Sequence, residues 1–566
     1  MSYADLAVFE QAVRDRITVQ NIIISFTLVS ITSVVVSYRR GLMAVSHFPG
    51  IRALFHPLSV PGAFIPTTWW NPGIYFAWNW RNAIYKCYEN DTISFVPMLL
   101  GPPTFYTSNL EVARQLVSGT NSARSFHKPE AASKTILHWG MNLFVADGDL
   151  WRKHRRIVGP AFNSKLYEAV WAETLRTYRE MVSEEGWEAR YRIRVPVVQA
   201  LTFKVALLII TKCGFGFSFS WADPVRTADG RMALQEAFRV ISDASLTSAL
   251  VPRWMQRFPL PRFKQIREAE RELMGFMRAQ VIERKGDITA RGTGASSAAQ
   301  GTNVFSMLVQ ASEDEESKFK LDDSELIGNV FIMLFAGHET TAHSLASTLG
   351  FLSVNNDIQE DIYEQIIAVV GRERDPVYDD YPKLDKVLAT FLEALRMFPS
   401  GYVIVRQAFE DTILQVPNPR GREGSTTIPV PKGMTVAVDM IGLQYNPRYF
   451  DSPEEYRPSR WYGIANDSEA FTAFSIGAYL PLSSSSQPAA DFGKPATGPR
   501  TCIGRKFTMI EAVCFLTLIL RDYRVEPLLR ATETLAQWKT RVLDAKIGLT
   551  LGVKDVPLTF IRRGKV

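Results

Sequence analysis

Two short stretches of this 566-residue chain carry side chains whose types and spacing suit them to chemistry. The first, GPRTCIGRKFTMIEAVCFLTLIL, sets a lone cysteine, Cys502, between Arg500 and Gly504 and runs straight into an apolar helical pattern. A thiolate at a helix N-terminus is favoured by the helix dipole and by unpaired backbone amides, which lower its pKa and suit it to a metal. Glycine beside it lets the backbone come close to a flat cofactor. The second stretch, AGHETT at residues 336–341, lies in the middle of a long pattern that is apolar nearly all round and so belongs to a buried central helix. Ala336 and Gly337 leave space beside that helix, and Glu339, Thr340 and Thr341 place an acid and two hydroxyls next to it. A bound diatomic ligand and a proton relay need such a place. The same residues also suit a structural role, with Gly337 allowing close helix packing and the hydroxyls bonding back to carbonyls one turn earlier.

These stretches belong to an ordered series: Trp151 and Arg155 in WRKHR, then AGHETT, Glu393 and Arg396 in EALR, Arg460 in YRPSRW, and last Cys502. In that order they resemble the cytochrome P-450 family, whose haem-binding pattern is FxxGxRxCxG, from about residue 45 to about residue 560. ExxR spacing alone carries little, since it recurs at Glu111/Arg114, Glu173/Arg176 and Glu268/Arg271. The resemblance implies a mainly α fold with small β-sheets (α+β), and a haem b whose iron takes its axial thiolate from Cys502. It implies Thr340 and Glu339 as the catalytic proton-delivery pair, and Trp151 and Arg155 as residues addressing a haem propionate. Arg155, Arg406 and Arg500 suit the propionates because guanidinium groups bind carboxylates bidentately; for Arg406 an ordinary surface position is the alternative. Glu393, Arg396 and Arg460 match the family's structural triad, and residues three apart such as Glu393 and Arg396 share a helical face. His154 and His338 are set aside as iron ligands in favour of the thiolate.

One feature departs from the family pattern. The family's phenylalanine stands seven residues before the cysteine, whereas Phe474 precedes Cys502 by 28, leaving 21 extra residues, 478–498. Without them the chain reads FSIGPRTCIG, a full match. The added stretch is rich in Ser, Pro and Ala and lacks strand or helix periodicity. An unspliced intron accounts for it, being a whole number of codons long and able to split a glycine codon between Gly477 and Gly498. A real surface excursion is the alternative, because loop-closure entropy grows slowly with length.

The elements around these motifs follow from patterning. After an N-terminal tail, 1–16, residues Ile17–Tyr38 carry no charge and are followed by Arg39 and Arg40. A helix there rises roughly 33 Å, enough for a hydrocarbon core of about 30 Å, so it reads as a transmembrane anchor. A cleaved signal peptide is the alternative, but no AxA-like cleavage site follows the apolar run. Residues 39–72 are expected to form an irregular Pro/Gly-rich hinge, and 73–566 one catalytic domain. Trp69, Trp70, Trp78 and Trp80 either dip into the membrane interface or pack in the core. Short β-like pieces fall at Thr92–Val96 and around Phe105, a Gly/Ser-rich loop at Gly286–Asn303, and the central helix starts with Asp322 or Asp323 as its cap. Four scattered cysteines exclude a disulfide scaffold and fit a reducing compartment. A net charge of +6, with basic and acidic residues interspersed, excludes a nucleic-acid stripe.

The resemblance further implies electrons delivered by a flavoprotein, commonly NADPH-cytochrome reductase, docked on the basic residues Arg152, Lys153, Arg155, Arg156, Arg505 and Lys506. Substrate contacts are expected from Ser125–Asn142, the central helix near Leu334, and Ser400–Ile404. The implied activity is a monooxygenase inserting one oxygen atom of O2 into an apolar small molecule, such as a terpenoid, polyketide or fatty acid. The chain is similar to membrane-bound fungal members of secondary metabolism, which implies a single-pass protein of the endoplasmic reticulum with a cytosolic catalytic domain. A haem-thiolate isomerase or dehydratase, or an inactive haem-binding protein if the insertion is real, are the rival readings.

Overall fold

The computed structural model describes residues 19–117, 125–223, 226–227, 229–291, 303–313, 319–419, 422–463, 471–476 and 500–564. The expected tail, the first two residues of the expected anchor, residues 292–302 of the Gly/Ser-rich loop and the whole 478–498 insertion lie outside the described residues. The chain groups into two compact units, one up to Thr107 with Gln407–Ala437 and one of Ser108–Arg406 with Val438–Val566.

In the first unit, helix α1 spans Val19–Ala44. Its stretch Asn21–Ala44 is long and apolar enough to cross a membrane, and Ile22, Phe26, Val29 and Ile31 stand exposed along it. α1 outlasts the uncharged run because Leu42, Met43 and Ala44 are good helix formers, and it ends where Ser46 and His47 take positive φ. The expectation of an irregular segment at 39–72 is overturned in part: Gly50–Phe55 is a strand, parallel to Thr92–Leu100 with Ile51 opposite Phe95. The alternation that buries Ile51 and Ala53 is short and hidden between glycine and proline, so the strand exists by pairing rather than by propensity. Thr92–Leu100 also pairs antiparallel with Thr104–Thr107. Trp78 packs in the core, whereas Trp69 is 89% exposed. A hairpin of Thr412–Pro417 and Ser425–Val430 completes the unit.

The second unit is mainly helical. Among its helices are α2 (Gly148–Val158), α3 (Ser164–Glu184), α4 (Gln199–Ile209), α5 (Leu234–Asp243), α6 (Asp323–Ser353), α7 (Asp385–Met397) and α8 (Arg505–Asp522). α6 is central and almost wholly buried. Of the two candidate caps Asp322 is the one used: its Oδ1 accepts the Glu325 N–H at 2.8 Å, and Glu325 Oε2 accepts the Asp322 N–H at 2.9 Å. α8 is buried from Met509 to Leu520. A three-stranded antiparallel sheet sets Leu558–Arg562 between Tyr523–Pro527 and Arg192–Val195, and a small hairpin joins Ala545–Ile547 to Leu551–Val553. Two glycines let the loop before α2 lie against α6. A Cβ on Gly328 would stand 2.5 Å from the Met141 carbonyl oxygen, and one on Gly140 2.2 Å from that of Ser324.

Candidate active site

Cys502 precedes α8, whose N-cap is Gly504 and which has no side-chain cap. The backbone N–H groups of Gly504 and Arg505 are left to donate to the Cys502 sulfur. The Cys502 N–H in turn donates to the Phe474 carbonyl at 3.0 Å, and the Arg505 guanidinium lies 5.7 Å from the centre of the Phe474 ring. Phe474 and Cys502 therefore meet despite their separation in sequence. The expectation of a thiol held low by the helix terminus is reversed in sum: burial pushes it up by more than the two amides, Arg155 and Arg505 bring it down. A coordinated metal ion supplies the charge that deprotonates such a thiol outright.

The cysteine is closely surrounded by the unit yet keeps open surface. α6 shows the same signature, for among its buried residues Ala336 is exposed and Gly337 and Thr340 are half-buried. The Thr340 hydroxyl donates to the Ala336 carbonyl at 2.7 Å, and the Thr341 hydroxyl pairs with that of Thr508 on α8 at 2.6 Å, tying the two helices together. A Cβ added at Gly337 would lie 3.1 Å from Ile210, so this glycine also serves close packing. The Glu339 carboxyl turns elsewhere: Thr550 donates to its Oε1 at 2.6 Å and Ser242 to its Oε2 at 3.3 Å. Burial pushes its pKa up to about 7 against those two hydrogen bonds. His338 is buried and its pKa is pushed down to about 4, with Nδ1 2.9 Å from the Leu334 carbonyl oxygen. His154 is likewise occupied, its Nδ1 2.9 Å from the Asn329 amide and its Nε2 3.3 Å from Glu325, contacts that dock α2 on α6.

A second cluster gathers cations. Arg500 bonds the Ala146 carbonyl at 3.0 Å, pairs with Asp147, and lies 4.3 Å from the centre of the Trp151 ring. Burial, Arg500 and Arg406 together push Lys128 down to about 7, and burial and Arg500 push Arg406 down to about 10. Asp147 is the carboxylate that opposes both shifts. Three cations thus share one acid inside the domain. Arg155 is depressed by burial and raised by Cys502, which places it on the cysteine side.

The third group is a buried network. Arg396 donates to Glu393 twice, at 3.0 and 2.9 Å, and to the carbonyls of Gln444 and Glu455 at 2.9 and 3.2 Å. Arg460 reaches Glu393 at 3.3 Å, joined by the Trp461 indole at 2.8 Å and the Arg457 backbone N–H at 3.0 Å. Lys128, Ser242, Trp461 and Thr550 were missed by motif reading. Trp461 stood in the quoted YRPSRW segment, whereas the others gain their roles from partners far along the chain and leave no local signal. Of the expected substrate positions, Leu334 is fully buried in packing while Tyr402 and Ile404 are half-buried. Of the expected docking cations, Lys153 turns inward to Glu325 at 2.7 Å, and Arg152, Arg156 and Lys506 stay exposed.

With this geometry in place, comparison with known proteins gives the class. The sequence profile of the family Cytochrome P450 matches residues 65–480, ending before Cys502. Cytochrome P450 monooxygenase 124 of Postia placenta is 33% identical over 93% of this chain and 96% of its own length. The phomenoic acid biosynthesis cluster cytochrome P450 monooxygenase of Leptosphaeria maculans is 25% identical over 81% of this chain and 80% of its own. A crystal structure of the cytochrome P450DA heme domain superposes with a TM-score of 0.67 over 91% of this chain and 99% of that one, at 20% identity, which speaks to the fold. The chain belongs to the cytochrome P450 family. It is an oxidoreductase of a family that holds haem iron by a thiolate, binds small molecules and takes electrons from a redox partner.

The residues present fit a haem. A cysteine keeps open surface ahead of α8, α6 keeps open surface at Ala336, Gly337 and Thr340, and three half-buried cations with one carboxylate leave positive charge for two propionates.

Proposed function

We propose that this protein is a membrane-anchored haem-thiolate monooxygenase, with Cys502 as axial ligand of haem b, that inserts one oxygen atom of O2 into an apolar small molecule. The observation that carries the reading is Cys502 at the start of α8, which keeps open surface among buried neighbours as Ala336, Gly337 and Thr340 do on α6. Haem with a thiolate ligand supplies the reductive activation of dioxygen when bound. The chain's own residues do the rest. Cys502 takes two backbone N–H bonds that orient the sulfur and temper its charge. Arg155, Arg406, Arg500 and Lys128 would hold the propionates, with Trp151 stacked beneath Arg500. Thr340 keeps an exposed hydroxyl on α6, and Glu339, poised near neutral pH, stores the proton that the reaction consumes. Glu393, Arg396 and Arg460 do no chemistry and pin the segment that follows α7.

The substrate is an apolar terpenoid, polyketide or fatty-acid-like compound of secondary metabolism, a reading supported by the relative named for a phomenoic acid biosynthesis cluster. NADPH-cytochrome reductase is the electron donor, approaching Arg152, Arg156 and Lys506, which remain exposed. The apolar N-terminal helix supports a single-pass anchor in the endoplasmic reticulum membrane with residues 73–566 as cytosolic catalytic domain. Residues 478–498 are an addition that this site does without.

Oxygen uptake by the purified chain with reductase and NADPH is the test. NADPH-dependent uptake with oxygenated product supports the monooxygenase. Turnover without NADPH makes it an isomerase or dehydratase, and neither activity makes it an inert haem protein.

A further inference from the structure

Glu339 and Thr340 are neighbours in sequence, yet their polar atoms leave α6 in different directions. Thr340 bonds back along its own helix, whereas the Glu339 carboxyl is held by two groups from other elements. Ser242, on α5, is buried, and its hydroxyl is shared between Glu339 at 3.3 Å and His338 Nε2 at 3.4 Å. Thr550 makes the shorter bond, 2.6 Å, and is half-buried in the turn between Ala545–Ile547 and Leu551–Val553. That turn is fixed by the Gly548 N–H bonding the Thr550 carbonyl at 2.9 Å and the Leu551 N–H bonding the Ser400 carbonyl at 2.9 Å. Thr550 therefore bonds the buried carboxyl while part of its own surface stays open.

We propose that Thr550 is the positioning residue of the Glu339 proton site, holding the carboxyl in place and serving as the hydroxyl through which it exchanges its proton with solvent. The proposal rests on the reading of Glu339 as the proton-delivery acid. In the exchange, the Thr550 hydroxyl passes its proton to Glu339 Oε1 and takes one from water on its exposed side, so the hydroxyl is unchanged and one proton has moved inward. Other titratable groups also face the site. Asp243 on α5 is a carboxylate paired with Arg239 at 2.8 Å, and it raises the proton affinity of Glu339. His338 is pushed down to about 4 by burial; burial does the same to His343, with Lys546 adding to it, so neither brings a charge. Phe203, on α4, lies edge-on to both histidines.

The experiment follows the carboxylic C=O band of Glu339 by infrared difference spectroscopy in the full-length holoenzyme, with the band assigned by its loss in Glu339→Gln. In the unsubstituted chain the band titrates near pH 7. Thr550→Val removes a donor to the charged form, so the midpoint rises by about one pH unit. Exchange of the band on transfer to D2O slows several-fold, and Thr550→Ser restores both readouts. A Thr550→Val protein with unchanged midpoint and unchanged exchange overturns the proposal, and so does a shift that Thr550→Ser fails to reverse. If Glu339→Gln leaves reductase-driven product formation unaltered, the reading of Glu339 as proton donor fails, while the band still decides the role of Thr550.

Discussion

Cys502 stands where two opposed influences meet: burial raises its thiol, while the Gly504 and Arg505 amides and the cations Arg155 and Arg505 favour the thiolate. Its identity was legible because a cysteine beside glycine ahead of an apolar helix is a local pattern. The sign of its net shift was not, because desolvation depends on every element folded around it. The cation cluster shows the same division. Arg500 was legible from its place two residues before the cysteine, whereas Lys128 acquires its role only when Arg406 and Asp147, from distant parts of the chain, converge on it. If those cations hold carboxylates, Lys128→Met removes a charge-assisted hydrogen bond of about 1.5–3 kcal/mol. Haem loss to excess apomyoglobin then quickens roughly tenfold or more by that arithmetic, and an unchanged rate removes Lys128 from the site. The sign for pH follows from Glu339. Its folded pKa of about 7 exceeds the ordinary carboxylate value, so the stability it lends is full at pH 4 and is lost as pH rises through 7. The difference in urea stability between the parent chain and Glu339→Gln should therefore narrow or reverse across that range.

At the scale of elements, the buried network anchored by Glu393 and Arg396 bears most weight. Both side chains are 0% exposed, and Glu393 also receives Arg460 and Trp461. Breaking such a pair leaves an uncompensated buried charge and costs about 3–5 kcal/mol. Arg396→Met is predicted to lose soluble, folded protein altogether, measured by yield and by circular dichroism, and a normally folded variant contradicts the structural assignment. ExxR was legible only through its order among other motifs, since the same spacing at Glu173 and Arg176 pairs a buried carboxylate with a half-exposed guanidinium instead. The helices were legible from periodicity and the Asp322 cap from residue type. The strand at Gly50–Phe55 was not, because its pairing with Thr92–Leu100 is a long-range event that no short window contains.

Over the whole molecule, an apolar N-terminal helix precedes a mainly helical unit that surrounds a cysteine. Removing residues 1–44 takes away α1, with its exposed isoleucines and valines. The shortened chain should pass from the membrane pellet to the supernatant with its haem spectrum intact, and retention in the pellet would assign membrane binding to other surfaces. The insertion was legible as a break in a pattern, and the bond between the Cys502 N–H and the Phe474 carbonyl explains why the ligand loop closes without it. A chain lacking 478–498 should bind haem at least as well as the full one. On the proposed function, Cys502 alone supplies the axial thiolate. The carbon monoxide difference spectrum of the reduced protein tests it most directly. The parent chain is expected to show a thiolate-type Soret band that is lost in Cys502→Ala. The same band surviving in Cys502→Ala would contradict it.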